Sequence, residues 1–216
     1  MATASGDQQQ LDGLSEFLQQ LLGARWQDVG AYVRGERSDR QIQFLSLAQE
    51  MCETGGLQIH PVPFKVVALL LEGSALEDDP TLIQTWAALL ANAAGSDARY
   101  TPAFADILRK LSADDAAAVQ VFANEPTAKP QSYPSYQGPF RGLPPDEVER
   151  GLNRDNVWLE LSNLLQLGVL EREAPSLIWE TDTGLVLDYR TDQFIYRFTE
   201  LGYRFYLACR PPNGSA

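Results

Sequence analysis

Few residues of this 216-residue chain are of a type and spacing to do chemistry. The single histidine, His60, sits directly before Pro61, and any Ser-His-Asp or Cys-His arrangement would have to use it. No G-x-S-x-G turn is present to expose a nucleophile. No phosphate-cradling glycine loop or dinucleotide fingerprint occurs either. Cys52 and Cys209 are too far apart for a zinc or redox motif, and Cys52 falls on an apolar helical stripe. The tightest acidic group is Glu77-Asp78-Asp79, followed by Pro80. Such acids could hold a divalent cation. Equally, Asp79 can cap a helix whose first residue is Pro80, with the other carboxylates at the positive end of its dipole. One short cluster without converging ligands favours the cap. The sequence therefore assigns no catalytic, cofactor-binding or metal-binding residue. Its candidate binding residues are Tyr133, Tyr136, Phe140 and Arg141, interleaved with prolines in residues 125–145. They read either as a partner-docking strip or as a loop pinned across the core by aromatic contacts.

Charge limits the partners. Seventeen basic against 29 acidic residues give a net charge of −12, which repels phosphate backbones and anionic lipid. Arg34, Arg37 and Arg40 fall near one helix face, but Glu36 and Asp39 sit among them, as on a solvated face. The N-terminus lacks the basic and apolar regions of a signal peptide. The longest apolar run, Val66 to Leu71, is far short of the roughly 20 residues a membrane-spanning helix needs. A cytoplasmic chain with reduced thiols, no cofactor and no membrane partner is expected.

The elements that must carry these residues read as follows. Residues 1–10 form a disordered tail, 11–124 a helical domain, 125–145 a Pro/Tyr-rich linker without regular structure, 146–210 a second module, and 211–216 a tail. In the helical domain, apolar residues recur at helical spacing at Leu11, Leu14, Phe17, Leu18, Leu21 and Leu22, and again at Ile42, Phe44, Leu45, Leu47, Ala48 and Met51. Apolar faces in the first 55 residues could pair in trans, so a homo-oligomer is open. Pro61 and Pro63 bracket a helix start, and the run after Phe64 is apolar almost all round. Glu72 within it is either a paired internal carboxylate or a helix-edge residue. The helix after Pro80 carries Leu82, Ile83, Trp86, Leu89, Leu90 and Ala93 on one face, with alanines that admit close neighbours. Asn92 near its end could cap another helix. Ser112 with Asp115 makes a capping box.

Beyond the linker, Pro145-Asp146-Glu147 opens a short helix. A stronger one starts at Asp155 or Asn156, with Val157, Leu161, Leu164 and Leu165 inward, and Glu160, Ser162, Asn163 and Gln166 exposed. Gly168 closes it, β-rich segments follow, and Thr199-Glu200-Leu201-Gly202 begins a last helix. Helix, Leu164…Leu167-Gly168-Val169-Leu170, a hairpin, then Tyr196-Arg197-Phe198-Thr199-Glu200-Leu201-Gly202 resembles a winged-helix module. The fold class expected is mainly α with a small antiparallel β wing: a helical bundle followed by a winged-helix-like C-terminal module. Many such modules bind DNA through the helix before the wing, but DNA readout needs a row of Arg or Lys that this helix lacks.

The acidic turn and helix Leu76–Ala94, the segment Pro102-Ala103-Phe104…Ile107-Leu108…Leu111-Ser112, and Phe198-Thr199-Glu200-Leu201-Gly202…Phe205…Ala208-Cys209 together resemble the Abi-alpha family, a bacterial family associated with abortive phage infection. The resemblance covers about two-thirds of the chain, residues 57–124 and 157–210. It implies phage defence as a context and carries over no catalytic residues. The leading expectation is a non-enzymatic protein-interaction component of anti-phage defence, with a host or phage protein as partner. The alternatives are a winged-helix transcriptional regulator and a metal-dependent enzyme using Asp78 or Asp79.

Overall fold

The computed structural model describes residues 14–29, 38–95, 101–124, 126–133, 136–140, 142–173, 179–181, 184–186 and 194–212. It is mainly helical, with nine helices among the described residues and a small antiparallel sheet near the C-terminus. Two compact units are present: residues 1–110 with 207–216, and residues 111–206.

In the first unit α1 (Ser15–Leu22) runs into a 3-10 turn (Gly23–Asp28), followed by α2 (Ser38–Thr54), α3 (Phe64–Ser74), α4 (Pro80–Gly95) and α5 (Thr101–Leu108). α4 is central, packed by α2, α3 and α5. Its Leu82, Ile83, Trp86, Leu89, Leu90 and Ala93 are buried, and so are Ala87, Ala88, Ala91 and Ala94. The helix is enclosed on more than the one face its large residues suggest, because alanines let neighbours come close on the others. Asp79 starts it: Oδ1 accepts from Thr81 N at 2.8 Å and Leu82 N at 3.1 Å. Glu77 Oε1 accepts from the N–H groups of Asp78 and Asp79, and Asp78 pairs with Arg40. All three carboxylates of the acidic turn are thus engaged in structure. At the other end, Asn92 Nδ2 donates to the carbonyls of Ala208 (2.9 Å) and Arg210 (2.8 Å). These are orphan carbonyls at the end of the last helix, α9 (Glu200–Cys209). Of the apolar residues of the first 55, Leu14, Phe17, Leu18, Leu21, Ile42, Phe44 and Leu45 are buried within the chain, Trp26, Leu47 and Met51 are half-buried, and Leu11, Tyr32 and Val33 lie outside the described residues. Arg34 and Arg37 lie outside the described residues. Glu72 is a helix-edge residue, its side chain 61% exposed and 3.7 Å from Arg109.

The second unit begins with α6 (Ala113–Ala123), which packs on α7 (Pro145–Leu152) and α8 (Trp158–Gln166). The second unit thus includes α6. The capping box is complete: Ser112 Oγ accepts from Asp115 N, and Asp115 Oδ2 accepts from Ser112 N. The same Oδ2 accepts from Asn163 Nδ2 at 2.8 Å, tying α6 to α8. Residues 125–145 were expected to hold no regular structure. Instead β1 (Pro126–Tyr133) and β2 (Tyr136–Phe140) pair antiparallel, with an irregularity between Pro126 and Gln131. In a two-stranded ribbon each strand is an edge, so a proline can turn its missing N–H away from the partner, and the composition is tolerated.

β3 (Leu170–Glu173) pairs antiparallel with β6 (Ile195–Phe198), and β4 (Trp179–Thr181) with β5 (Gly184–Val186) lies between them in sequence. On its other side β6 bridges Leu143, which exchanges two backbone hydrogen bonds with Tyr196 at 2.7 and 2.9 Å. α8 ends at Gly168, whose φ of +70° suits glycine. Its N–H reaches the carbonyl of Leu165, while that of Val169 reaches Leu164, the paired bonds of a Schellman end. Thr199 Oγ1 accepts from Gly202 N at 2.9 Å and starts α9. Between these elements lie Val148, Val157, Leu161, Leu164, Tyr196, Phe198 and Phe205, all buried. Phe122 meets Phe198 edge-on at 5.9 Å. Among the described residues no helix is long and apolar enough to cross a membrane.

Candidate docking face

The sequence-chosen strip is spread along the hairpin. Tyr133 and Tyr136 are register partners at its tip, and Phe140 pairs with Pro126 at its base. Arg141 lies outside the described residues.

A surface of different character is built on α8. Its inward residues, Val157, Leu161 and Leu164, repeat at i, i+4, i+7 and are fully buried. At 3.6 residues per turn, Leu159 lies about 200° round the helix from Leu161 and must point outward. It is 78% exposed, and Trp158 beside it is 50% exposed. The inner edge of Trp158 rests on Tyr196, with ring centroids 6.5 Å apart. Ser162 and Gln166 continue the exposed side. Glu160, expected on the surface, is instead 7% exposed. It pairs with Arg154, which also donates to Asp114 at 2.9 Å. Without that pair a buried carboxylate would be costly. These bonds, that of Asp114 foremost, raise the pKa of Arg154. The exposed side of α8 is therefore uncharged, apolar at Trp158 and Leu159 and polar at Ser162 and Gln166.

Several arginines of the second unit are paired with carboxylates or stacked on a ring. Arg197, 9% exposed, lies between Glu171 (2.6 Å) and Glu173 across the β3–β6 pair. Arg150 pairs with Asp146, and Arg204 with Glu200. Arg172 covers the ring of Phe194. The Trp158–Leu159 pair was legible in the sequence, since both residues are out of phase with the inward series, but adjacency to Val157 hid it.

The histidine and thiols do not assemble into a reactive group. His60 is exposed, and its backbone N–H bonds the carbonyl of Ala94. Cys52 is buried, and burial, with Glu53 adding to it, pushes its thiol up to about 11. Cys209 is raised further by burial alone. A nucleophilic thiol needs the opposite shift. Among the described residues no three His, Cys, Asp or Glu side chains are grouped to hold a metal ion.

The molecule is thus a mainly helical protein of two units, the second built on a small antiparallel sheet flanked by helices. The family model for abortive infection alpha matches residues 39–209, most of the chain, and the chain belongs to that family. The match spans the hairpin segment as well as the two stretches whose motifs carried the resemblance. Searches of curated proteins and of solved structures gave no match.

Proposed function

We propose that this chain is a non-enzymatic, protein-binding component of bacterial defence against phage, acting through abortive infection in the cytoplasm. Its docking face is the exposed side of α8. The family supplies the context. The observation that carries the binding reading is the exposure of Trp158 and Leu159, adjacent large apolar residues on a helix with no exposed charge. Trp in particular supplies much contact energy where a partner covers it. The test is a plaque assay on cells expressing Leu159→Asp. Leu159 makes little contact with the core, so the variant should fold, and protection should fall by about 10-fold or more, the scale of a lost hot spot. Wild-type protection would remove this face from the mechanism.

One observation favours a second reading. α6, the Leu143 bridge, α7, α8, β3 and β6 follow the order of a winged helix, in which α8 would be the helix that enters the major groove. A regulator of transcription would use it so. Trp, Leu, Ser and Gln in place of Arg and Lys weigh against that use. A duplex-DNA gel shift at low salt that is lost in Leu159→Asp would favour the regulator.

A further inference from the structure

Between α7 and α8 the chain turns through Asn153 and Asn156, both with left-handed backbone (φ 52° and 64°). Beside this turn lies an open groove of about 410 Å³ lined by Asp146, Glu149, Arg150, Asn153, Arg154 and Asp155. Its two cations are occupied. Arg150 bonds the carbonyl and carboxylate of Asp146, and Arg154 is held by Asp114 and Glu160. Its anions are not all satisfied. Asp155 is exposed and has no hydrogen bond or ion pair among the described residues. Asp146 Oδ1 is shielded from solvent with no partner. Glu149 accepts one bond, from the Asn156 N–H at 3.1 Å. Five carboxylates thus meet two guanidiniums, a local excess of three negative charges. Trp158 and Leu159 follow three and four residues after Asp155, so chain length alone keeps them within about 14 Å of it.

We infer that this edge receives a protein segment carrying an Arg or Lys within about one helical turn of a bulky apolar residue. The cation lies in the groove toward the exposed Asp155, and the apolar side chain covers Trp158 and Leu159. The inference rests on the docking-face reading and specifies its partner. The chain's own charge excludes other occupants. A second copy docked face to face would set Asp155 and Glu149 against carboxylates, in a chain of net charge −12. Phosphates of nucleic acid or anionic lipid meet the same repulsion.

The test is calorimetric titration of the full chain at about 50 mM salt, where charge effects are little screened. Three peptides of about 16 residues, long enough to form a helix, serve as probes. One has a Leu/Trp face with Lys and Arg elsewhere, one the same face with Glu elsewhere, and one is Arg/Ser without apolar residues. The wild type binds the first at least about 10-fold more tightly than either other peptide. Asp155→Lys and Leu159→Asp each weaken it about 10-fold, and Asp155→Asn by less, with melting temperatures unchanged. Equal affinity in Asp155→Lys, or equal binding of the Glu or Arg/Ser peptide, overturns the inference. The plaque assay separates the two claims. If Leu159→Asp loses protection while Asp155→Lys keeps it and the peptides do not discriminate, the docking face stands and the cationic partner falls. If both variants protect fully, the face itself falls.

Discussion

Asp115 shows how much one side chain can hold. Only 4% exposed, it takes three donors on one oxygen: Ser112 N, Ser112 Oγ and Asn163 Nδ2, each at 2.8 Å. Asp79 caps α4 from a more open position, with two backbone donors that water can replace. Asp79→Ala should cost about 1 kcal/mol, the usual loss of a helix cap. Asp115→Ala should cost about 2–3 kcal/mol, because it also removes the hydrogen bond that ties Asn163 on α8 to α6. Urea unfolding of the two variants checks the order, which reverses if only helix capping matters. The thiols make a separate prediction. Cys52 is raised from 9.0 to about 11 in the fold, so the folded state favours the neutral thiol. That preference is fully present below pH 9 and is lost as pH rises from about 9 to about 11. The melting temperature should therefore fall less across that window in Cys52→Ala than in the wild type. Every other group is common to the two proteins and cancels in the comparison. Native protein should react with a thiol reagent far more slowly than urea-unfolded protein, since both cysteines are buried.

Within elements, the features legible in the sequence were those set by residues a few positions apart. The Asp79 cap, the Ser112–Asp115 box, the Gly168 end and the Thr199 start each depend on one turn of chain. The burial of Glu160 was not legible, because it depends on Arg154 in the preceding turn and Asp114 on another helix. The β1–β2 hairpin was hidden by its prolines, which penalise an inner strand but not an edge. The Trp158–Leu159 pair could have been found from helical phase alone. Long-range contact also decides the tightest glycine. A Cβ at Gly202, in the first turn of α9, would lie 1.9 Å from the carbonyl oxygen of Val169. That carbonyl already accepts from Thr199 N at 3.0 Å, so the backbone cannot yield without loosening the joint between β3, β6 and α9. Gly202→Ala should destabilise the protein by about 3 kcal/mol, at the upper end for overpacking. A drop in denaturation midpoint no larger than that of an exposed Gly→Ala change would show that the joint relaxes freely.

At the scale of the whole molecule, the first unit is discontinuous in sequence: it needs residues 207–216 as well as 1–110. The physical reason lies in α4. Asn92 is the partner of the Ala208 and Arg210 carbonyls, and Gly55 is in close contact with Pro212. Cys209 is buried in the same region of sequence. Ending the chain after residue 206 would remove the Ala208 and Arg210 acceptors of Asn92 and the buried Cys209, while leaving the caps and sheet of the second unit intact. Removing a buried Cys and a pair of side chain–backbone bonds should cost about 3–5 kcal/mol. Hydrogen exchange on the chain shortened to residue 206 should show faster amide exchange in α2 and α4 than in the full chain. Amides of β3, β6 and α8 should change much less. Uniform loss of protection would mean that the two units unfold as one. Unchanged protection in α4 would mean that the C-terminal segment rests on the first unit without stabilising it. An Asn92→Ala chain of full length separates the hydrogen bonds from the packing. It should reproduce about 1–2 kcal/mol of the truncation's loss, the part carried by two side chain–backbone bonds.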